Sequence, residues 1–471
     1  MPHDFLSFLK LCFHTVSPAN QIINNWHIKV IADRLEAALN GKINRLIINM
    51  PPRFVKSICV SIAWPSWIFA LNPQARIIVA SYSQTLSEKL SLDNRHILQS
   101  EWYKNLFPHV ILSKDQNTKQ KFQTSQRGYR FATSVGGSIT GEGGDFLIID
   151  DPMNPLQALS KTYRQRVCNW FEQSFMTRLN DRKHSVVVIV MHRLHTEDLT
   201  GYLLSKKLYN NWHVLSFPMI SEKKHIIYSL AYPWKFKYKK KIKNILHTRK
   251  EGELLYWKYG KKYINELKSE LGSYAFAAQY QQNPITLSSG IIKYIWLQRY
   301  DQTLYNHNNT NITQSWDTAS CTNDNSDYSI CTTWSYTNNC FFLLDIYKEK
   351  LEYQSLKQIL INLANRWKPT AILIENKASG IQLIQELRNI SKIPIIDIIP
   401  TINKLIRFYK IIPIFESRKV FLPYDASWLS DFEQEILSFP NTQNDDQVDS
   451  MTQYLDWIYN NIMHNVSVKT L

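Results

Sequence analysis

Lys56 and Ser57 close the stretch 45–57, RLIINMPPRFVKS, placing an ammonium and a hydroxyl side by side behind an apolar run. Between a strand and a helix, that pair suits phosphate. The Lys reaches the β/γ oxygens, the Ser hydroxyl takes Mg²⁺, and the backbone N–H groups of the helix start hold the anion. The glycines of G-x-x-x-x-G-K-[ST] are missing, with Met50 and Val55 in their places. Alone, the stretch reads equally as a strand-to-helix turn with a solvated Lys. The run 146–152, FLIIDDP, shifts the balance, because four apolar residues deliver two carboxylates to a strand end. Asp150 suits the metal side of a phosphoryl-transfer site, and Asp151 suits activation of the attacking water. The competing reading, two acids that cap the next segment, is weakened by the upstream Lys-Ser. Arg193, just beyond the apolar run 185–191, is a candidate sensor of a γ-phosphate. His192 and His195, with Glu197 and Asp198, lack the spacing of a zinc helix and read as ordinary surface or core histidines.

A separate set of carboxylates lies in the second half. Asp317 ends one short strand and Glu375 a later one. Asp446 and Asp449 are i,i+3 at the start of a C-terminal helix, with Asp445 and Asp449 i,i+4, so they share a face. Any one of these acids reads as a cap or surface charge. In this order they have the arrangement of a ribonuclease-H-like nuclease. Clustered carboxylates there hold two divalent ions roughly 3.5–4 Å apart for in-line cleavage of a phosphodiester. Oxygen ligands select Mg²⁺ or Mn²⁺ over zinc.

The elements that must position these residues follow from hydrophobic periodicity. Residues 26–39 have helical spacing (Ile28, Ile31, Leu35, Leu39), with Gly41 beyond the end. Residues 45–50 read as a strand stopped by two prolines, and 58–71 as a helix that Pro65 kinks or interrupts early. A strand at 75–81, a helix at 85–99 and a hairpin at 122–124 and 129–133 follow. The glycine loop 136–144 is equally a backbone anion site or a plain connection. From 221 to 260 the pattern degrades. The run 235–243, KFKYKKKIK, is read either as a DNA-backbone contact with stacking options or as a solvated basic loop. A helix at 261–271 and the segment 274–283 precede 284–290, PITLSSG, which has linker composition. Beyond it, strands at 312–316, 328–336 and 340–347, a helix at 351–367, a strand at 371–374 and a helix from the acids to 459 complete the pattern. The expected fold class is α/β. Domain 1–283, mainly a parallel sheet of the P-loop type with a basic aromatic segment at 221–262, leads through linker 284–290 to a ribonuclease-H-like domain at 291–471.

Composition narrows the partners. At 471 residues, with 44% hydrophobic and 13% aromatic content, the chain can bury more than one core. A net charge of +16 favours a polyanionic partner, nucleic acid before membrane, although biased lysine usage accounts for charge as well. Cys12, Cys59, Cys168, Cys321, Cys331 and Cys340 form no C-x-x-C pair, which fits a reduced setting. No signal peptide or membrane-spanning run is expected.

Together, WHIKVIADRL, RLIINMPPRFVKS, ATSVGGSITGEGGDFLIIDDP, MHRLHTEDLTG, AAQYQQNP, SWDTAS, LIENKASG and DDQVDS span nearly the whole chain in order. The chain resembles the large terminase subunit of tailed bacteriophages, the motor and nuclease that packages DNA. The family carries a deviant phosphate loop, so the resemblance implies nucleotide binding without the glycines. It puts Arg53, Lys56 and Ser57 in the nucleotide loop and Asp150 and Asp151 in the acidic strand. Residues 191–193 fall in the segment that couples hydrolysis to movement, and Asp317, Glu375, Asp446 and Asp449 in the nuclease. Two positions depart from the pattern: His192 replaces a glutamine, and Asn444 stands where histidine is usual. The implied cofactors are ATP and Mg²⁺, with Mn²⁺ an option at the nuclease. The implied partners are double-stranded DNA, the procapsid portal protein, the small terminase subunit and further copies of the chain in a ring. The implied place is the host cytoplasm and, transiently, the portal, rather than the mature virion or a membrane. A prophage-remnant nuclease with a vestigial ATPase domain is the alternative.

Overall fold

Runs of consecutive apolar residues become strands covered on both faces, as a parallel sheet requires. The computed structural model describes residues 4–19, 25–206, 211–237, 240–285, 290–302, 311–318, 328–377, 379–390, 394–400, 402–442 and 445–468. Asn444, Tyr238, Lys239 and residues 286–289 of the expected linker lie outside the described residues. The chain divides into two units, Met1–Lys268 with Ser273–Thr286, and Ser269–Gly272 with Leu287–Leu471.

In the first unit, β1 (Arg45–Asn49), β2 (Arg76–Ser81), β3 (Leu112–Asn117), β4 (Lys121–Thr124), β5 (Tyr129–Ser134), β6 (Phe146–Asp150), β7 (Val186–Met191) and β8 (His213–Ser216) form one sheet. Its order is β3-β4-β5-β2-β6-β7-β1-β8. The six strands from β5 to β8 run parallel, and β3 and β4 extend the edge as antiparallel strands. Successive residues alternate between two cores. Leu46, Ile48, Ile148, Val188 and Val190 face one core, with the helices Phe5–Val16, Trp26–Leu39 and Trp64–Leu71. Ile47, Leu147, Ile149, Val187 and Ile189 face the other, with helix Lys161–Trp170.

Two local expectations change. The helix after the phosphate loop changes type just before Pro65. It begins as a π-helical segment, Ile58–Ala63, and Pro65 sits in the first turn of the α-helix Trp64–Leu71, where its missing N–H is not needed. The degraded stretch 221–260 is strand-rich: β9 (His225–Tyr228) pairs with β12 (Ile245–Arg249), and β10 (Trp234–Lys237) pairs with β11 (Lys240–Lys243). The described residues of the basic run therefore lie in two paired antiparallel strands.

The second unit is built on β13 (Gln298–Tyr300), β14 (Asn311–Asp317), β15 (Ser329–Thr337), β16 (Cys340–Glu349), β17 (Ala371–Glu375), β18 (Ile395–Ile398) and β19 (Val420–Pro423), in the order β13-β19-β16-β15-β14-β17-β18. The meander β14–β15–β16 is antiparallel, and β17 and β18 add parallel to β14. Helices Tyr353–Trp367 and Ser379–Ile390 cover one face over Trp316, Ile372 and Ile374. Helices Lys404–Glu416, Leu429–Ser438 and Asp446–Val468 cover the other over Ile330, Trp334 and Leu343.

Candidate active sites

β1, β7 and β6 are neighbours, so the residues that follow them meet at one edge of the first sheet. The loop after β1 reaches this edge through unusual backbone. Arg53 and Val55 have φ of 69° and 67°, and Asp151 has φ of 46°. Val55 occupies the glycine position of the usual motif and still adopts the left-handed conformation glycine would take, which for a β-branched residue stores strain of about 1–3 kcal/mol. Lys56 is buried, and its Nζ donates to Asp151 Oδ1 at 2.7 Å and lies 3.0 Å from His192 Nδ1. His192 Nδ1 is also 3.0 Å from Asp151 Oδ1. Ser57 Oγ donates to Asp150 Oδ1 at 3.0 Å, and Ser61 Oγ donates to Asp150 Oδ2 at 2.6 Å. Burial, then the charge of Asp151, pushes the Asp150 carboxyl up to about 7. Burial acts in the same direction on Asp151, but Lys56 and His192 overcome it and hold that carboxyl below its ordinary range.

Sequence reasoning singled out Lys56, Ser57, Asp150 and Asp151, and these come together. Arg53 is exposed on the same loop. Arg193 does not join the cluster through its side chain. Its Nε donates to both oxygens of the fully buried Asp198, at 3.0 and 2.9 Å, and its Nη2 to the His195 carbonyl. Asp198 also accepts from the backbone N–H of Leu194 and Gly201, so it organises the whole turn after β7. Thr200 ties that turn to Asn49 at the end of β1 at 3.0 Å. Ser61 was not expected at the site. It carries a legible signal, one helical turn beyond Ser57 in a mainly apolar stretch. His192 was read from its spacing as an ordinary histidine, and only the resemblance put it in the coupling segment.

In the second unit the edge is set by a helix lying on the sheet through small polar residues. Ser315 Oγ donates to the Ser450 carbonyl and Ser450 Oγ to the Ser315 carbonyl, each at 2.7 Å, and Gln453 Nε2 donates to Ser315 Oγ and the Trp316 carbonyl. This seats Asp446 and Asp449 over the end of β14. Trp316 pairs with Ile374, so Asp317 and Glu375 follow at the ends of adjacent parallel strands. The acids feel one another: burial first, then Asp449, Glu375 and Asp446, raises the Asp317 carboxyl well above its ordinary value. Asp449 is pushed up to about 6 by burial, against the pull of Lys404. Asp449 Oδ1 is buried and accepts no hydrogen bond. Lys404 Nζ bridges Asp449 and Asp445, the latter at 2.7 Å. Arg407 lies 3.9 Å from Glu375 and 3.6 Å from Asp449. Among the described residues no three His, Cys, Asp or Glu side chains close on a single ion position as they stand. Lys404 and Arg407, which sequence reasoning missed, sit on these acids. Their signal was two cations in the first turn of a helix, where the macrodipole disfavours positive charge unless acids face it.

A family profile described as the N-terminal part of the terminase large subunit, T4likevirus-type, matches residues 47–299, more than half of the chain. A second, described as the terminase RNaseH-like domain, matches residues 314–456. The chain belongs to the large terminase family. The large terminase of a thermophilic bacteriophage is similar in structure over 93% of this chain and 100% of its own, with a TM-score of 0.53 and 12% identity. That likeness shows the shared fold: an ATPase-type α/β unit followed by a ribonuclease-H-like one. The HK97 bacteriophage large terminase matches at a TM-score of 0.37 and 9% identity, covering 96% of this chain and 98% of its own. The large terminase nuclease of the thermophilic phage G20c, a structure with bound magnesium, covers 36% of this chain and 98% of its own at a TM-score of 0.29 and 11% identity. No curated protein sequence matches the chain. Among the described residues of this large terminase, no helix is long and apolar enough to cross a membrane.

The residues present fit divalent metal at both sites. At the first, the buried Asp150 carboxyl, bonded by the Ser57 and Ser61 hydroxyls and pushed up to about 7 chiefly by burial, offers oxygen ligands to a cation that would offset that burial. At the second, Asp317 feels the charges of Asp449, Glu375 and Asp446, and these carboxylates offer the oxygen ligands that Mg²⁺ or Mn²⁺ takes.

Proposed function

We propose that this large terminase hydrolyses ATP to drive double-stranded DNA into a procapsid and cuts concatemeric DNA with its second unit. The observation that carries the reading is the contact of Lys56 with Asp151 and His192 at the end of three adjacent parallel strands, in a chain whose other unit gathers Asp317, Glu375, Asp446 and Asp449. Catalysis of phosphoryl transfer is mostly positioning and charge stabilisation. When ATP arrives, Lys56 leaves Asp151 for the β/γ oxygens, alongside Arg53 on the loop. The freed Asp151 carboxylate takes the proton of the attacking water, and His192 keeps it oriented. Ser57 and Asp150 would hold Mg²⁺ here, and Asp317, Glu375, Asp446 and Asp449 would hold Mg²⁺ or Mn²⁺ in the nuclease. Bound metal supplies neutralisation of phosphate charge at the first site and Lewis-acid stabilisation of attacking and leaving oxygens at the second. Arg193 contributes by shaping the turn with Asp198, because reaching a γ-phosphate would cost that buried ion pair.

The proposed domains are 1–283 for the motor and 291–471 for the nuclease, joined by 284–290. The proposed partners are the portal protein, the small terminase subunit and further copies in a ring on the portal, within the host cytoplasm. The test is DNA-stimulated ATP hydrolysis. Lys56→Ala should remove it, since the lysine's interaction with the transferring phosphoryl group strengthens in the transition state. Absence of hydrolysis in the unaltered chain would leave the nuclease with a vestigial ATPase.

A further inference from the structure

Helix Lys404–Glu416 is capped by Asn403, whose side chain accepts from the Leu405 N–H, and its first turn points two cations at the acidic edge of the second unit. Their surroundings differ. The Lys404 side chain is 32% exposed and bridges two carboxylates. Arg407 is only 8% exposed, and its guanidinium is poorly partnered. Its Nη1 stops 3.9 Å from Glu375 Oε2 and its Nη2 3.6 Å from Asp449 Oδ1, both too long for hydrogen bonds. Among the described residues, Nε and Nη1 donate to nothing, and Asp449 Oδ1 accepts from nothing. A buried guanidinium with idle donors is costly unless something else supplies acceptors. An arginine serving only as counter-ion to these acids would close those gaps of a few tenths of an ångström to make bidentate bonds.

We propose that Arg407 is the residue that grips the scissile phosphate of bound DNA, with Lys404 as a displaceable cation that holds the acidic site until metal enters. The proposal rests on the nuclease reading above. Its chemistry follows from the groups present. A planar guanidinium presents paired N–H donors matched to two oxygens of a phosphodiester. Glu375 and Asp449, once engaged by metal, no longer compete for those donors. Lys404 must give up Asp449 for the same metal, and its exposure gives it a path out. The two cations thus act alike on metal, which both repel by charge, but only Arg407 is needed by the substrate.

The experiment uses the full chain and three readouts: Mn²⁺ affinity by calorimetry, steady-state cleavage of plasmid DNA, and circular dichroism with thermal melting as a check on folding. Arg407→Gln should lower cleavage kcat/KM by at least about tenfold, the loss expected for charge-assisted bonds to phosphate. Its Mn²⁺ affinity should be unchanged or tighter. Lys404→Gln should tighten Mn²⁺ binding, because a competitor for Asp449 is gone. Wild-type cleavage efficiency in Arg407→Gln, or a fall in Mn²⁺ affinity parallel to the fall in cleavage, overturns the proposal and returns Arg407 to a structural counter-ion. Should Arg407→Gln fail to fold, Arg407→Lys decides. It keeps the charge and loses the fork, so a several-fold fall in kcat/KM with normal Mn²⁺ affinity supports the proposal, and wild-type efficiency sinks it. Failure of the nuclease reading looks different: the unaltered chain would then neither bind Mn²⁺ in an Asp449-dependent way nor cut DNA.

Discussion

Asp150 and Asp151 are neighbours in sequence, yet their surroundings push their carboxyls in opposite directions. That split has a measurable consequence. Unfolded, an aspartate ionises near 3.8; folded, Asp150 holds its proton up to about 7 and Asp449 up to about 6. Between those values the folded chain binds more protons than the unfolded one. The stability these two groups contribute is therefore fully present below the unfolded value and is lost as pH rises through the folded values. Asp151 has the opposite sign, but its window lies below 3.8 and does not interfere. Mg²⁺ binds only the ionised forms, so it should offset the loss. The rise in Tm on saturating Mg²⁺ should be clearly larger near about pH 8 than near about pH 5. A rise of equal size at both would mean that neither carboxyl takes the ion. At this scale the sequence was informative wherever charge stood at the end of an apolar run, as at Lys56, Asp150, Asp317 and Glu375. It did not give the contacts of His192, Lys404 and Arg407, whose meaning depends on what faces them across the fold.

Elements were legible in proportion to how strongly burial wrote their period. The strands β1, β2, β6 and β7 and the meander β14–β16 could be read because both faces, or alternate positions, are apolar. Residues 391–440 gave no reading, although β18, β19 and two helices lie there. The helix Lys404–Glu416 contains Pro413, and β18 and β19 are only four residues each, so no period runs long enough to register. The helix Phe5–Val16 was passed over too, although Asp4 caps it and Phe5, Phe8, Leu9 and Cys12 bury one face. One element-scale feature sits beside the nuclease acids. Gly380 begins the helix after β17 so close to the strand that an added Cβ would lie 2.1 Å from the Glu375 carbonyl oxygen and 3.3 Å from Thr318 Oγ1. Backbone cannot yield as a flexible side chain does, so Gly380→Ala should cost about 1–3 kcal/mol and displace the end of β17. Metal-dependent cleavage should fall sharply while ATP hydrolysis is preserved. Normal cleavage by Gly380→Ala would show that the position of Glu375 is not critical.

At the scale of the whole molecule, the two proposed chemistries rest on separate buried cores. Buried clusters around β1–β8 close the first unit, and those around β13–β19 close the second. The first unit runs to Thr286 and the second resumes at Leu287, but Ser269–Gly272 groups with the second unit. The exception coincides with Gly272, whose φ of 76° breaks the helix Lys261–Gln279 in two. Independent cores predict separable functions. Lys56→Ala should stop ATP hydrolysis and translocation while cleavage of naked DNA continues, because the lysine touches only groups of the first unit. Asp449→Ala should spare ATP turnover and remove cleavage. A fragment starting at Leu287 should fold and cut DNA, though weakly if the basic first unit supplies much of the grip on the phosphate backbone. Its circular dichroism and melting would show whether the second core stands alone. An unfolded fragment, or loss of naked-DNA cleavage in Lys56→Ala, would mean that the acids work only as part of one composite site.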